Sequence, residues 1–243
     1  MLEIKKLDLN YEKHLLYSIT GINLSEGDKL CVLGKNGVGK STFLRALIFD
    51  KSKSNKITIN NKKSNDLSLS LRVNYFGLQT QNNIDTFWGT AKDFLELSYA
   101  KKNDNMKVDL DSLVNDFKLE KIINSRFNIL SGGQKKILSI ASVFIQNPYV
   151  YLLDEPLANL DFFYQKIILN NLKKLKKKII IMTSHDLTPV NDLSSHLLLL
   201  FKNSDYMFGK TEKLFSSENL RKLYGVEFSS ISMNNKNLIY ANL

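Results

Sequence analysis

The chain has 243 residues and a single cysteine, Cys31. A lone thiol excludes an internal disulfide and offers no cluster for a metal. Its setting in KLCVLG places it on a buried strand as an inert core residue. Long apolar runs are missing too: none approaches the roughly 20 residues of a membrane-spanning helix. The densest, HLLLLF at 196–201, reads as one buried strand. The start, MLEIKKLDLNY, mixes acidic and basic side chains and lacks the apolar core of a signal peptide, so a cytoplasmic protein is expected. No internal repeat, long linker or low-complexity tract interrupts the chain. Histidine is scarce, with three residues, of which His14 and His196 fit no motif and read as structural. Acidic residues are outnumbered 24 to 34 by lysine and arginine, giving a net charge of +10. That balance admits an anionic partner. The lysines, however, are scattered among asparagines and serines. The one dense run, LKKLKKKIII at 172–181, fits the exposed end of a helix entering a buried strand, where the macrodipole favours lysine. Nucleic acid is therefore not expected as a partner.

What is present is 43% hydrophobic residues, enough to bury the core of one large domain or of a domain with an inserted lobe. Alternating apolar residues in LEIKKLDLNY and SITGINLS predict an antiparallel β-layer. KLCVLG follows as a buried strand and STFLRALIF as a helix. SNKITINNKKSND predicts a short edge strand, and LRVNYFGLQ another strand. From about Thr90 to Ile129 the apolar spacing becomes helical, in AKDFLELSYA and VDLDSLVNDFKLEKII. LSGGQKKILSIASVFIQ continues as a helix with Ile137, Leu138, Ile140, Ala141, Phe144 and Ile145 on its apolar face. After Pro148, VYLLDEP and KKIIIMTSHD are buried strands separated by a helix through FFYQKIILNNLKKL. Continuous apolar strands alternating with helices indicate an α/β fold whose parallel sheet is covered on both faces. The tail adds a strand near YMFG, a helix through SSENLRKLYG and two last strands in VEFSSISM and NLIYAN.

Three stretches carry chemistry. Gly34, Gly39, Lys40 and Ser41 match G-x-x-x-x-G-K-[ST] between a strand and a helix. The glycines let the backbone wrap phosphates, Lys40 reaches the terminal phosphates, and the Ser41 hydroxyl can ligate Mg²⁺. Asp154 and Glu155 end the strand VYLLD, at the edge where parallel strands deliver side chains to ligands. Asp154 is placed to hold Mg²⁺, and Glu155 to orient and activate an attacking water. LSGGQKK at 130–136 is a second loop built for anions, with Ser131, Gly132 and Gly133 opening a helix whose N-terminus supplies partial positive charge. One chain with two phosphate loops needs an explanation.

In order, GKNGVGKST, Gln79, LSGGQ, VYLLDEP, ANLD at 158–161 and SHD at 184–186 resemble the motifs of ATP-binding cassette (ABC) ATPases. The match covers nearly the whole chain, and LSGGQ is that family's own signature. The resemblance implies a P-loop NTPase with a RecA-like parallel sheet core, an N-terminal antiparallel β-layer and an inserted α-helical subdomain. The division expected is 1–89 and 148–243 for the catalytic core and about 90–147 for the helical subdomain, within one domain spanning 1–243. It assigns ATP to the loop Gly34, Lys35, Asn36, Gly37, Val38, Gly39, Lys40, Ser41 and Thr42, and adenine stacking to Tyr11, with Tyr17 as competitor. Mg²⁺ falls to Ser41, Gln79 and Asp154, catalysis to Glu155, His185 and Gln79. Here Leu78 stands where the family usually has a proline before the glutamine. Ser131, Gly132, Gly133 and Gln134 would touch ATP held by a second copy of the chain, and Asp161 would stabilise the contact between the copies. The second loop thus serves the other subunit's nucleotide. Lys135 and Lys136 replace an arginine-containing stretch, keeping charge but losing bidentate geometry.

The same resemblance implies a transporter subunit. A DNA-repair or chromosome ATPase would carry a long coiled coil, and a translation-associated protein would carry two cassettes. Partners would be a second copy in a head-to-tail homodimer, two transmembrane permease subunits and, indirectly, a substrate-binding protein. The chain would then lie peripherally on the inner face of the cell membrane. QTQNNIDTFWGTAKDFLEL and the tail SSENLRKLYGVEFSSI resemble importers of iron-siderophore, haem, cobalamin or zinc, which favours import over export.

Overall fold

The computed structural model describes residues 1–243 apart from 13, 51, 81–86, 100–108, 188–189, 191–192, 234–235 and 243. Its centre is a six-stranded sheet formed by β4 (Lys29–Leu33), β7 (Phe76–Gln79), β8 (Val150–Leu153), β9 (Ile179–Ser184), β10 (His196–Leu200) and β11 (Tyr206–Lys210). Across it the order is β11-β10-β4-β9-β8-β7. All neighbours pair in parallel except β10 and β11. β8, β9 and β10 are buried along their whole length, so their sequences read as unbroken apolar runs. Successive residues still point to opposite faces. Leu30, Val32, Leu152 and Ile181 join one hydrophobic cluster, and Cys31, Leu33, Leu153 and Met182 join the other. Burial of Cys31 pushes its thiol pKa up.

The first cluster is closed by α1 (Lys40–Phe49) and by the antiparallel layer of β1 (Leu2–Tyr11), β2 (His14–Ile19), β3 (Ile22–Leu24), β5 (Lys56–Ile59) and β6 (Lys62–Lys63). The second is closed by helices α3 (Ala91–Tyr99), α4 (Leu110–Phe117), α5 (Gly132–Gln146) and α6 (Phe162–Lys174). The helical lobe therefore shares one continuous core with a face of the parallel sheet. Two short helices end the chain's core, α7 (Thr211–Leu214) and α8 (Ser217–Tyr224), followed by a hairpin of β12 (Phe228–Met233) and β13 (Lys236–Ala241). Lys173 and Lys174 occupy the last turn of α6, and Lys174 pairs with Asp116 at 2.8 Å. The basic run is an exposed helix end with an acidic neighbour. His196 is buried and stacked on the Phe208 ring, a packing role. Among the described residues no helix is long and apolar enough to cross a membrane.

One expectation is overturned. LRVNYFGLQ is not a single strand, because residues Leu69–Tyr75 form a helix, α2, and only Phe76–Gln79 is extended. Ser68 caps α2, its hydroxyl accepting from the Leu71 amide, as N-cap serines do. The buried Arg72 then donates to the carbonyls of Leu67, Ile48 and Asp50. The last two are carbonyls at the C-terminal end of α1, which have no partner within their own helix. A tertiary contact, invisible in local spacing, selects the helix. The first part of the importer-like stretch, residues 81–86, lies outside the described residues.

Replacing Arg72 by Met should leave these carbonyls without donors. With a charged hydrogen bond contributing about 1.5–3 kcal/mol, we expect urea unfolding to report a loss of about 3 kcal/mol. An unchanged midpoint would show that water satisfies the carbonyls equally well.

Candidate functional site

Strand β4 ends at Leu33, and the chain must then turn sharply beneath its neighbour. A side chain at Gly34 would lie 2.8 Å from the Leu200 carbonyl oxygen and 2.7 Å from a Val38 methyl, so only glycine fits. Gly39, the N-cap of α1, has φ 109, a left-handed conformation open to glycine. The loop between them leads into the helix N-terminus, where amides and the macrodipole favour anions. The Lys40 ammonium is buried and donates to the carbonyls of Gly34 at 2.8 Å and Lys35 at 3.2 Å. Burial lowers its pKa, while the charges of Glu155 and Asp154 act in the opposite direction.

Asn36, Gly37, Gly39, Lys40, Ser41 and Thr42 line a cavity of about 700 Å³ that is closed by Tyr11, Leu16, Glu155 and His185. Gly34, Lys35 and Val38 contribute no wall. Val38 turns its side chain into the core, and the Lys35 ammonium lies toward Gly225 at the end of α8. Tyr11 is exposed at the cavity's rim. Tyr17 is buried and its hydroxyl donates to the Phe201 carbonyl at 2.6 Å, which leaves Tyr11 as the aromatic face open to a ligand.

Parallel pairing of β8 with β9 sets the acidic residues. Thr183, fully buried on β9, donates its hydroxyl to Asp154 Oδ1 at 2.7 Å and accepts from the Glu155 amide at 2.8 Å. Glu155 has φ 49, so the chain reverses in the left-handed region immediately after the strand. Its carboxylate lies between the Lys40 ammonium and the His185 ring, with Oε1 3.9 Å from Lys40 Nζ and Oε2 3.3 Å from His185 Nδ1. His185 is held outward by the turn in which Ser184 donates to the Asp186 carbonyl and accepts from its amide. A smaller cavity of about 120 Å³ runs behind Glu155 and His185, along Pro156, Ala158 and Gln165. Thr183 carried no motif signal. Its role is legible only once the two strands are side by side.

Gln79 ends β7 beside Leu153, buried, its carbonyl accepting from the Asp154 amide at 3.1 Å. It does not line the phosphate cavity. Its side-chain amide donates to the Thr80 carbonyl, and its Oε1 is buried without a partner among the described residues. The buried side-chain oxygen of Gln79, the Asp154 carboxylate and the Ser41 hydroxyl, the last on the cavity wall, are the kind of donors that suit Mg²⁺. That ion takes oxygen ligands and shares them with substrate phosphates and water. Among the described residues no cluster of three His, Cys, Asp or Glu side chains forms a metal cage.

The second loop sits elsewhere. Ser131 N-caps α5, accepting from the Gln134 amide, while Gln134 Oε1 accepts from the Ser131 amide at 2.9 Å. This reciprocal capping box holds Gly132 and Gly133 at an exposed helix start. None of the four lines the phosphate cavity. Asp161 caps α6 through the Tyr164 amide at 2.9 Å, leaving Phe162 beside it 89% exposed. The structure thus gathers the phosphate loop, Tyr11, Asp154, Glu155 and His185 about one edge of the sheet. It keeps Ser131, Gly132, Gly133 and Gln134 outside that cavity wall.

A phosphate loop after the first strand of a parallel sheet, facing carboxylates at the end of a strand two places across that sheet, defines the fold of a P-loop NTPase. Residues 18–158 match the ABC transporter family, and the chain belongs to that family and carries its ATPase domain. A Clostridium tetani protein described as an ABC transporter ATP-binding protein is 29% identical over 98% of this chain and 55% of its own length. A spermidine/putrescine import ATP-binding protein of Mesoplasma florum is 28% identical over 90% of this chain and 65% of its own. The chain thus spans between half and two thirds of the length of these two relatives. In structure it is similar to a transporter described as of metal-chelate type, in an inward-facing conformation, with a TM-score of 0.80, 24% identity, and coverage of 99% of this chain and 96% of that one. A dimeric ATP-binding cassette in a post-hydrolysis state, bound to ADP and phosphate, superposes with a TM-score of 0.72, 26% identity, and coverage of 86% and 98%.

Thr183→Val keeps the shape of the side chain and removes both hydrogen bonds. We expect a loss of about 1–3 kcal/mol in urea unfolding, the cost of a buried polar group left without its partner, and slower ATP hydrolysis. Wild-type values of both would mean that β8 alone fixes Asp154 and Glu155.

Proposed function

We propose that the chain is the ATP-hydrolysing subunit of an ABC importer, acting as a head-to-tail homodimer beneath two separate permease subunits. The observation that carries the hydrolytic part is the position of Glu155, whose carboxylate faces the phosphate cavity between Lys40 and His185. In this reading the Gly34 to Thr42 loop and Lys40 hold the phosphates, and Tyr11 stacks on adenine. Ser41, Gln79 and Asp154 hold Mg²⁺, which when bound offsets the negative charge of the phosphates. Glu155 orients water and accepts its proton. His185, 3.3 Å away, fixes that carboxylate and reaches the γ-phosphate. Lys40 would exchange the carbonyls of Gly34 and Lys35 for phosphate oxygens as ATP enters.

Ser131, Gly132, Gly133 and Gln134 complete the site of the second copy, with Asp161 at the contact between copies. The exposure of Ser131 and Gly132, away from the chain's own phosphate cavity, supports this. ATP then acts as a ligand of the closed dimer, shifting the population by its higher affinity for that state. Uptake of a metal chelate such as an iron-siderophore, haem or cobalamin, or of a metal ion, is favoured by the tail helix ending at Tyr224 and Gly225 and by the likeness to the metal-chelate type transporter. Polyamine uptake is the second reading, supported by the Mesoplasma florum relative.

Glu155→Gln keeps the shape of the side chain and removes the base. We expect ATP binding to persist and hydrolysis to collapse by at least about a hundredfold, the scale of a positioned general base. A dimer should accumulate in size-exclusion chromatography with ATP and Mg²⁺. Hydrolysis by this variant at the wild-type rate would rule out Glu155 as the base.

A further inference from the structure

Lys136 follows the second loop on the first turns of α5, yet it is 8% exposed and its ammonium donates to the Ala158 carbonyl at 2.6 Å. Burying an ammonium is unfavourable unless its charge is paired and hydrogen-bonded. The charges that favour it here are those of Glu155 and Asp154.

The bond acts on a strained segment. Glu155 and Asn159 have φ 49 and φ 60, left-handed values that cost a non-glycine residue about 1–3 kcal/mol and persist where the surroundings over-determine them. The surroundings do so from several sides. Thr183 accepts from the Glu155 amide, and the Ala158 amide donates to the Glu155 carbonyl at 3.2 Å. Gln165, on α6, donates to the carbonyls of Leu157 and Leu160 at 3.2 and 3.1 Å. Lys136 reaches the same turn from α5, the helix capped by Ser131. A side-chain carbon at Gly133 would lie 3.4 Å from Leu160 Cδ2, so the start of α5 also packs against the turn. Apolar packing alone slides easily, whereas a buried ammonium on a backbone carbonyl fixes register.

We infer that Lys136 is a positioning residue, locking the helix that presents Ser131 to the turn that carries Glu155 and Asp161, so that the two move as one body. The inference rests on the hydrolytic reading above for its kinetic consequence, but not for its structural one. A chain so built transmits the arrival of a partner's nucleotide at Ser131 directly to its own Glu155. Lysine suits the position because its single ammonium ends a flexible stem that can follow the helix face to one carbonyl.

The test compares Lys136→Met and Lys136→Arg with wild type, in the full chain, with turnover expressed per site competent to bind a fluorescent ATP analogue. For Lys136→Met we expect kcat to fall on the order of tenfold, the scale of a modest misplacement of catalytic groups, with KM within about twofold of wild type. Arginine, which keeps the charge and the donors, should recover most of the loss. Wild-type kcat per competent site in Lys136→Met, or no recovery with arginine, would overturn the inference. Amide hydrogen exchange provides the arm that is independent of hydrolysis. Residues 155–161 should exchange faster in Lys136→Met while α1 keeps its protection, and unchanged protection of that turn would also overturn the inference. A wild-type chain that binds ATP without hydrolysing it would instead defeat the hydrolytic reading, and the exchange result would still decide the role of Lys136.

Discussion

Parallel pairing of β4 with β9, and of β9 with β8, brings the C-terminal ends of three strands to one edge of a single sheet. The phosphate-binding and acidic groups of the site depend on that arrangement, while Tyr11 and Leu16 reach it from the antiparallel layer. The phosphate loop leaves β4, the carboxylates leave β8, and Thr183 and His185 leave β9. Because parallel strands cannot be joined by a hairpin, the segments between them must cross over the sheet faces. Those crossovers supply the helices that bury both faces. The apolar alternation that makes two cores thus also produces the ligand edge.

At that edge the hydrogen bonds of Thr183 hold Asp154 and the Glu155 amide at the reversal of the chain, where Glu155 takes a left-handed conformation. Its carboxylate then lies within 4 Å of both Lys40 and His185. The signature loop is satisfied differently, by a capping box that leaves Ser131 and both glycines at an exposed helix start. One loop is closed around its own cavity, and the other is finished but faces outward. That asymmetry gives physical content to a site shared by two copies.

Much of this was legible in the amino-acid order, and the reasons are local. GKNGVGKST announces itself because a glycine at 34 and one at 39 are demanded by close approach and by a left-handed φ. VYLLDEP and KKIIIMTSHD show buried strands because central parallel strands are apolar on both sides. What escaped was tertiary. The pattern of LRVNYFGLQ predicts strand from residue 71, yet residues 71–75 belong to a helix because Ser68 caps it and Arg72 satisfies carbonyls at the end of α1. Thr183 looked like one more residue of a buried strand until β8 lay beside it. Lys136 reads in the sequence only as a retained charge after the second loop, and its bond to Ala158 depends on a turn 22 residues away. Tyr11 is the residue that the family pattern favours over Tyr17, and their different burial, Tyr17 being in the core and Tyr11 at the cavity rim, cannot be read from the sequence.

The central claim is that each catalytic site is assembled from two copies, the phosphate loop and Glu155 of one and Ser131 of the other. A mixing experiment tests it most directly. A Lys40→Ala chain lacks a working phosphate loop but keeps its signature, and a Ser131→Arg chain has the reverse defect. Each alone should hydrolyse almost no ATP. Mixed together, they should regain hydrolysis, because a mixed pair contains one site with both intact halves. A mixture as inactive as its components, or a Ser131→Arg chain that turns over ATP normally on its own, would contradict the account.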